Sequence, residues 1–410
     1  MNPISGYTKV KATIPFVLAI IFVPCTGCQP PSGGPALSPI PIQISATPLA
    51  AATETSTATR TPPAALTAPF STFLIFPSPT SVPAGSLGNP STVKMIIGRP
   101  PNGQAWVTYT PPDWPDIYKR LGEFPIFSDI LETDDGDVWF ATKGDLSSEG
   151  TGIYRLKGDT WTNYRKGHGL PFTDIDALAG SAADGIWLGG DGVTYFDGKY
   201  LTTYETENGP ASNDVRSLAG TSEGMLWVGT SDKGLSWFNG KGWQSIRLQA
   251  PTNYIGGIFV LPDNSPLISS SNDEWARLVH FDGRTWSDYP TPWSDKGKYT
   301  ADVASAPDGS LWFATEFLGV YRFAQNTWTN FSTSDGLPSD EIHSVAVARD
   351  GSVWAGTAGG LARYDGGEWK IIELPYLNGL KGIGPITAGS FGSVWVAYYG
   401  GLARINSAGI

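Results

Sequence analysis

A tryptophan flanked by apolar residues recurs along this chain at an almost constant step. It stands as Trp139 in "DVWFAT", Trp187 in "GIWLGG", Trp227 in "MLWVGT", Trp312 in "SLWFAT", Trp354 in "SVWAGT" and Trp395 in "SVWVAY". Leu267 in "SPLISS" falls at the expected place in the one double gap, so the successive steps are 48, 40, 40, 45, 42 and 41 residues. Seven units of this period predict a repeat architecture. Each unit contains four short apolar segments, for example "IHSVAVA", "SVWAGT", "GLARYD" and "EWKIIE". Asp-Gly and other glycine-containing turns separate them, as antiparallel hairpins require. Four strands every ~40–45 residues is the pattern of a β-propeller blade.

The expected fold is therefore all-β: a seven-bladed propeller of four-stranded antiparallel blades. The residues common to the units are read as core and turn chemistry. The last unit lacks a fourth strand, because "GLARINSAGI" ends the chain. A spare one, "GQAWVTYT" at residues 103–110, resembles the fourth strands "DTWTNYR" and "NTWTNFS". Pairing it with the last unit would close the ring through an N-terminal strand and leave no open edge. "TVKMIIG", residues 92–98, has no assigned place.

Upstream of the ring the composition changes. Lys9 and Lys11 precede the apolar run "ATIPFVLAIIFVPCTGC", residues 12–28, which is too short and too Pro-broken for a comfortable membrane span. Residues 1–28 are read as an export signal. The two cysteines, Cys25 and Cys28, both lie at its end, so no disulfide framework is expected in the folded part. "CTGC" resembles a bacterial lipobox with Cys25 in place of the usual Leu, and this resemblance implies lipidation at Cys28. Residues 29–95 are rich in Pro, Ser, Thr and Ala and are read as a disordered linker, interrupted by the unexplained apolar island "FSTFLIF" at residues 70–76. The propeller is placed at 96–410. The expected location is outside the cytoplasm, at the cell surface or in the periplasm, with a lipid anchor in the membrane.

"DGLPSDEIHSVAVARDGSVWAGTAGGLARYDG" resembles the two-component regulator propeller repeat, and that resemblance covers about three-quarters of the chain. The third and sixth units follow it closely, whereas the fourth has lost its Trp and its Gly-Leu. The resemblance implies an extracytoplasmic sensor-like ring that binds a ligand, often a glycan in that family. No kinase or regulator segment follows the propeller in this sequence, so a binding ring is expected without signalling chemistry of its own.

The variable positions locate a candidate site. In a propeller the loop leading into the first strand and the loop joining the second and third strands share one face. Aligned on Ile342, the preceding position reads Ile126, Asp174, Asp214, Tyr254, Tyr299, Glu341 and Gly382. The following position reads Ser128, Asp176, Arg216, Gly256, Ala301, His343 and Gly384. Three carboxylates and two tyrosines at one mouth suit a sugar or a cation. The second-to-third-strand loops add Lys143, Asp145, Glu274, Trp275, Glu316, Phe317, Tyr398 and Tyr399. The expected ligand-binding set is Asp174, Asp214, Arg216, Tyr254, Trp275, Tyr299, Glu316, Phe317, Glu341, His343, Tyr398 and Tyr399.

Catalytic chemistry is not legible. The three histidines, His168, His280 and His343, do not converge on a metal-ligand pattern. No nucleophile elbow, EF-hand loop or phosphate-binding glycine loop is present. A net charge of −11 with scattered cations excludes sequence-independent nucleic-acid binding. The expectation is a non-enzymatic ring with no cofactor, whose partner at the channel face is a small molecule, a glycan or a protein. A propeller enzyme acting on glycans or lactones and an assembly scaffold remain alternatives.

Overall fold

The computed structural model describes residues 81–83, 91–92, 96–98, 106–110, 126–143, 152–158, 160–166, 169–182, 185–246, 254–271, 276–293, 299–374, 382–389 and 392–406. Seven antiparallel sheets follow one another, each ordered first to fourth strand from the axis outward. Blade 1 opens with Ile126–Glu132, blade 2 with Ala177–Gly180, blade 3 with Val215–Gly220 and blade 4 with Ile255–Val260. Blades 5, 6 and 7 open with Thr300–Ser305, Ile342–Val347 and Ile383–Ala388. These seven inner strands pack in ring order, and that of blade 7 packs on that of blade 1. Among the described residues the only helix is one 3₁₀ turn, Thr333–Asp335, and no helix is long and apolar enough to cross a membrane.

Why the repeated tryptophan is needed is visible between blades. All six lie on second strands and are buried. Each of five meets an aromatic residue of the next blade: Trp139 meets Phe196 at 5.7 Å, Trp187 meets Phe238 at 5.7 Å and Trp227 meets Phe281 at 6.3 Å. Trp312 meets Tyr364 at 5.4 Å and Trp395 meets Phe140 at 6.3 Å. A large aromatic side chain buries on the order of 150–250 Å², so each repeat carries its own inter-blade glue. In blade 4, Leu267 leaves room, and Trp293, 2% exposed, joins the same core with its ring 4.5 Å from that of Tyr321. A tryptophan from a connecting loop thus restores the volume that the repeat lost.

Four of these tryptophans also carry an arginine on the ring face, Arg155 on Trp139, Arg322 on Trp312, Arg363 on Trp354 and Arg404 on Trp395, at 5.1–5.8 Å. Arg322 and Arg363 also pair with Asp308 and Asp350 of the Asp-Gly turns, at 2.7 and 3.6 Å, and Arg155 binds Asp137, one residue past the Asp135-Gly136 turn. In blades 5 and 6 the repeated Asp is therefore both a turn residue and an anchor for the arginine that covers the core.

The seventh sheet recruits Trp106–Tyr109 as its fourth strand, paired antiparallel with Gly401–Asn406. Tyr109 is 5% exposed and its ring lies 5.3 Å from that of Trp395. Trp395 in turn donates from Nε1 to Glu132 of blade 1 at 2.7 Å. The blades are not all four-stranded. Ile96–Gly98, the stretch left without a place, adds a fifth strand outside Trp106–Tyr109. Inside the stretch read as linker, Ser91–Thr92 pairs with the outer strand of blade 1 and Ser81–Pro83 with that of blade 2.

Candidate functional site at the axial mouth

The first strands share an irregularity that builds the site. In blades 1 and 3–7 the ladder to the second strand slips near the start of the first strand, as between Val215 and Ser217 or Ile342 and Ser344. In blades 1 and 3–6 the skipped residue is Ser128, Arg216, Gly256, Ala301 or His343. A β-bulge leaves its extra residue outside the pleat and re-aims the side chain. Arg216 and His343 owe their positions to it. The flanking apolar residues Val215, Ile255, Ile342 and Ile383 are fully buried and hold the bulges in place.

The second-to-third-strand loops close over the same end. Ser231 donates from its backbone to Asp214 at 2.9 Å, Glu316 to Tyr299 at 3.3 Å and Ala358 to Glu341 at 3.0 Å. The mouth so formed has two sectors. In blades 1–3, charge is paired off. Arg216 reaches Asp214 at 2.8 Å and Asp176 at 3.4 Å, Lys143 pairs with Asp176, and Ser231 donates to Asp214 at 2.6 Å. Desolvation opposes the Arg216 charge, but Asp176 and Asp214 outweigh it and raise the guanidinium above its usual range. Asp174 is exposed on the same rim.

In blades 4–6 the mouth is aromatic and acidic. Tyr254, Tyr299 and Phe317 are 38%, 39% and 49% exposed, with Glu316 and Glu341 half-buried around them. Desolvation, with Glu316, Tyr254 and Glu341 close by, pushes the Tyr299 phenol up to about 12. Burial and then the nearby Arg216, Asp176 and Asp214 act on Tyr254, with a net upward shift that links the two sectors. Phe317 has φ +60°, a left-handed conformation that costs a bulky residue ~1–2 kcal/mol. His343 lies beside Glu341, Nε2 to Oε1 3.4 Å, and its Nδ1 is 2.7 Å from the Ile383 carbonyl. A carbonyl only accepts, so Nδ1 carries the proton and Nε2 is the atom turned to Glu341.

One expected member does not stand as read. Tyr398 is 6% exposed, ends the second strand of blade 7 within the core, and burial pushes its phenol up to about 12. It is no stacking wall, because the loop reading placed it one residue too far out. Tyr399, the next residue, is half-buried at the turn. Glu274, Trp275, Asp145 and His168 lie outside the described residues.

Below the mouth are two acids that the alignment of variable loops did not single out, Asp129 and Asp302, directly after the bulges of blades 1 and 5. Asp129 accepts from its neighbour Ile130 at 2.8 Å and, across blades, from Leu178 at 2.7 Å. Asp302 accepts from Val303, and from Ser344 and Val345 of blade 6 at 2.7 and 3.0 Å. Desolvation raises them to about 7 and about 6, and for Asp129 the Asp302 charge adds to the rise. The signal was present in the sequence as two Asp at one repeat slot. Among the described residues, no three His, Cys, Asp or Glu side chains are grouped to hold a metal ion.

Bulged inner strands and a variable rim define a β-propeller whose individual chemistry is gathered at one axial mouth. Residues 209–232 of blade 3 and 336–359 of blade 6 match the two component regulator propeller repeat. No curated protein matches the sequence. The structure is similar to a catalytically inactive virginiamycin B lyase from Staphylococcus aureus with quinupristin (TM-score 0.56, 13% identity, 77% of this chain and 99% of that chain). It is also similar to PorZ, a bacterial surface component of the type-IX secretion system of Porphyromonas gingivalis (TM-score 0.53, 16% identity, 68% and 46%). YCF48 bound to a D1 peptide is a third (TM-score 0.53, 15% identity, 73% and 96%). At such identities the likeness is one of fold.

Proposed function

We propose that this chain is an extracytoplasmic ligand-binding ring, tethered to a membrane through a lipid on Cys28, that takes a glycan-type ligand at the mouth of blades 4–6. One observation carries the reading. Of the six large apolar side chains exposed among the described residues, three, Tyr254, Tyr299 and Phe317, lie in blades 4 and 5 of this mouth, and a fourth, Ile126, opens blade 1 on the same rim. Aromatic faces stack on the C–H face of a sugar, and Glu316 and Glu341 accept from its hydroxyls. The strained Phe317 backbone fits this use, since such conformations persist where a side chain must be presented. The test is calorimetry against a panel of neutral and acidic oligosaccharides, with Tyr299→Ala alongside. Binding that Tyr299→Ala weakens by ~1–3 kcal/mol supports the reading. No oligosaccharide binding, or binding indifferent to Tyr299→Ala, removes it.

A second reading rests on the Glu341–His343 pair. An imidazole with Nδ1 fixed by a backbone carbonyl and Nε2 facing a carboxylate is equipped for proton transfer. It would suit a propeller enzyme opening a lactone or glycoside. Turnover of such a substrate that disappears in His343→Ala supports it, and binding without turnover rejects it.

A further inference from the structure

The two sectors of the mouth differ in how their charge is settled. In blades 1–3 the acids meet cations of the protein itself: Asp176 is paired with Lys143 and Arg216, and Asp214 with Arg216. In blades 4–6, among the described residues, no lysine or arginine pairs with Glu316 or Glu341; the Glu341 carboxylate meets the His343 ring, Nε2 at 3.4 Å. Both carboxylates are half-buried beside the exposed rings of Tyr254, Tyr299 and Phe317. An acid on open surface needs no partner. One drawn partly out of water beside apolar rings loses hydration that the chain does not give back. The Tyr299 phenol registers this: besides desolvation, Glu316, Tyr254 and Glu341 act on it, and all of them raise it.

The bulges of the same blades are cleared of polar side chains. At that slot Ser128 donates to the Ile175 carbonyl, Asp176 pairs with Arg216, and His343 donates to the Ile383 carbonyl, each reaching the next blade. Blades 4 and 5 have Gly256 and Ala301 there. A Cβ on Gly256 would come within 3.0 Å of the Tyr254 ring, so that ring lies against the Gly256 backbone. The sector thus offers aromatic faces and carboxylates, and the bulges add no polar group of their own.

We propose that the ligand held at blades 4–6 is an amino sugar with a free ammonium group, which sits against the Tyr254 and Tyr299 rings and is neutralised by Glu316 and Glu341. The inference rests on the glycan reading above and adds the ligand's charge to it. An ammonium suits both parts of the sector, since a ring face attracts a cation and a carboxylate accepts its N–H groups in charge-assisted hydrogen bonds. A metal ion suits neither, because the rings supply no oxygen and two carboxylates fall short of the roughly six to eight oxygens that Ca²⁺ takes. An acidic sugar is repelled by Glu316 and Glu341. A neutral one stacks on the rings but leaves both charges uncompensated.

Calorimetry on the full chain tests this with a matched pair: the tetrasaccharide of glucosamine and the same tetrasaccharide fully N-acetylated, at mildly acidic pH where the free amines are charged. The rings can stack on both, and the first alone brings a cation. The expected result is binding of the amine form tighter by about ten-fold or more. Added salt should reduce that preference, and Glu316→Gln/Glu341→Gln should bring it close to parity, with an unchanged melting temperature as the sign of an intact ring. Equal affinity for the two sugars, with Tyr299→Ala weakening both, overturns this inference and leaves the glycan reading standing. So does a preference for the amine form that the double variant retains, which would place the ammonium elsewhere on a chain of net charge −11. Binding of neither sugar also overturns it, and the glycan reading falls with it when the neutral and acidic panel is silent too.

Discussion

Tyr109→Ala isolates the part that the N-terminal strand plays in holding the ring. The residue lies in a strand borrowed by blade 7, yet its ring is 5% exposed and packs with Phe140, Trp395 and Leu402. Truncating a large buried aromatic costs ~3–5 kcal/mol from lost transfer energy and the cavity left behind. The loss falls on the seam between blades 7 and 1, because Trp395 also meets Phe140 and donates to Glu132. Against a typical domain stability of ~5–15 kcal/mol this is a large fraction, equivalent to a fall in melting temperature on the order of 10 °C for a ring of this size. Thermal denaturation followed by circular dichroism reads it. Two truncations extend the test: removal of residues 1–90 keeps Trp106–Tyr109, removal of 1–112 does not. The second should melt well below the first. A wild-type melting temperature in Tyr109→Ala, or equal stability of the two truncations, would refute the view that this strand secures the ring.

Acid should stabilise this protein over part of the pH range. Asp129 and Asp302 sit at about 7 and about 6 in the folded chain against 3.8 in the unfolded one, so the folded state binds more protons between these values. Their contribution, on the order of a few kcal/mol, is fully present below pH ~4 and is lost as pH rises through 6 and 7; urea midpoints that do not fall from pH 5 to pH 8, or that fall equally in Asp129→Asn/Asp302→Asn, contradict this. Phe317→Gly should relieve the left-handed backbone and stabilise the ring by ~1 kcal/mol while weakening ligand binding, and chemical denaturation together with calorimetry checks both. Cys28→Ser should release the protein from the membrane fraction or block its processing whereas Cys25→Ser should not, as fractionation and acyl labelling will report.

Where sequence and structure part company, the parting follows the range of the interactions. Leu267 could be placed by spacing alone as the missing Trp of blade 4, but nothing near it in sequence points to Trp293 as its replacement. The variable rim positions could be aligned, yet Tyr398, the last residue of its second strand, and Phe317, two residues past the end of its own, ended on opposite sides of the surface. A difference of two residues at a strand end decides here between core and solvent. Lys143, Asp176 and Arg216 belong to three different blades, and the pairing of Asp176 with both cations needed the blades to be brought together before it could be seen.

What the sequence determined by itself is the repeat: seven units, four strands in each, a Trp or its substitute on every second strand, and an orphan strand matching an incomplete last unit. These follow from local chemistry, the period-two burial of strands and the turn preference of Asp-Gly, which each unit expresses independently. The tertiary structure alone decided which side chains face the axis, which acids lose their solvent, and how the N-terminal segment is laid along the outer edges. Those outcomes depend on bulges, on neighbours some 40 residues away in the next blade, and on edges left open by other strands. No single unit contains that information, because each is settled only when the blades meet.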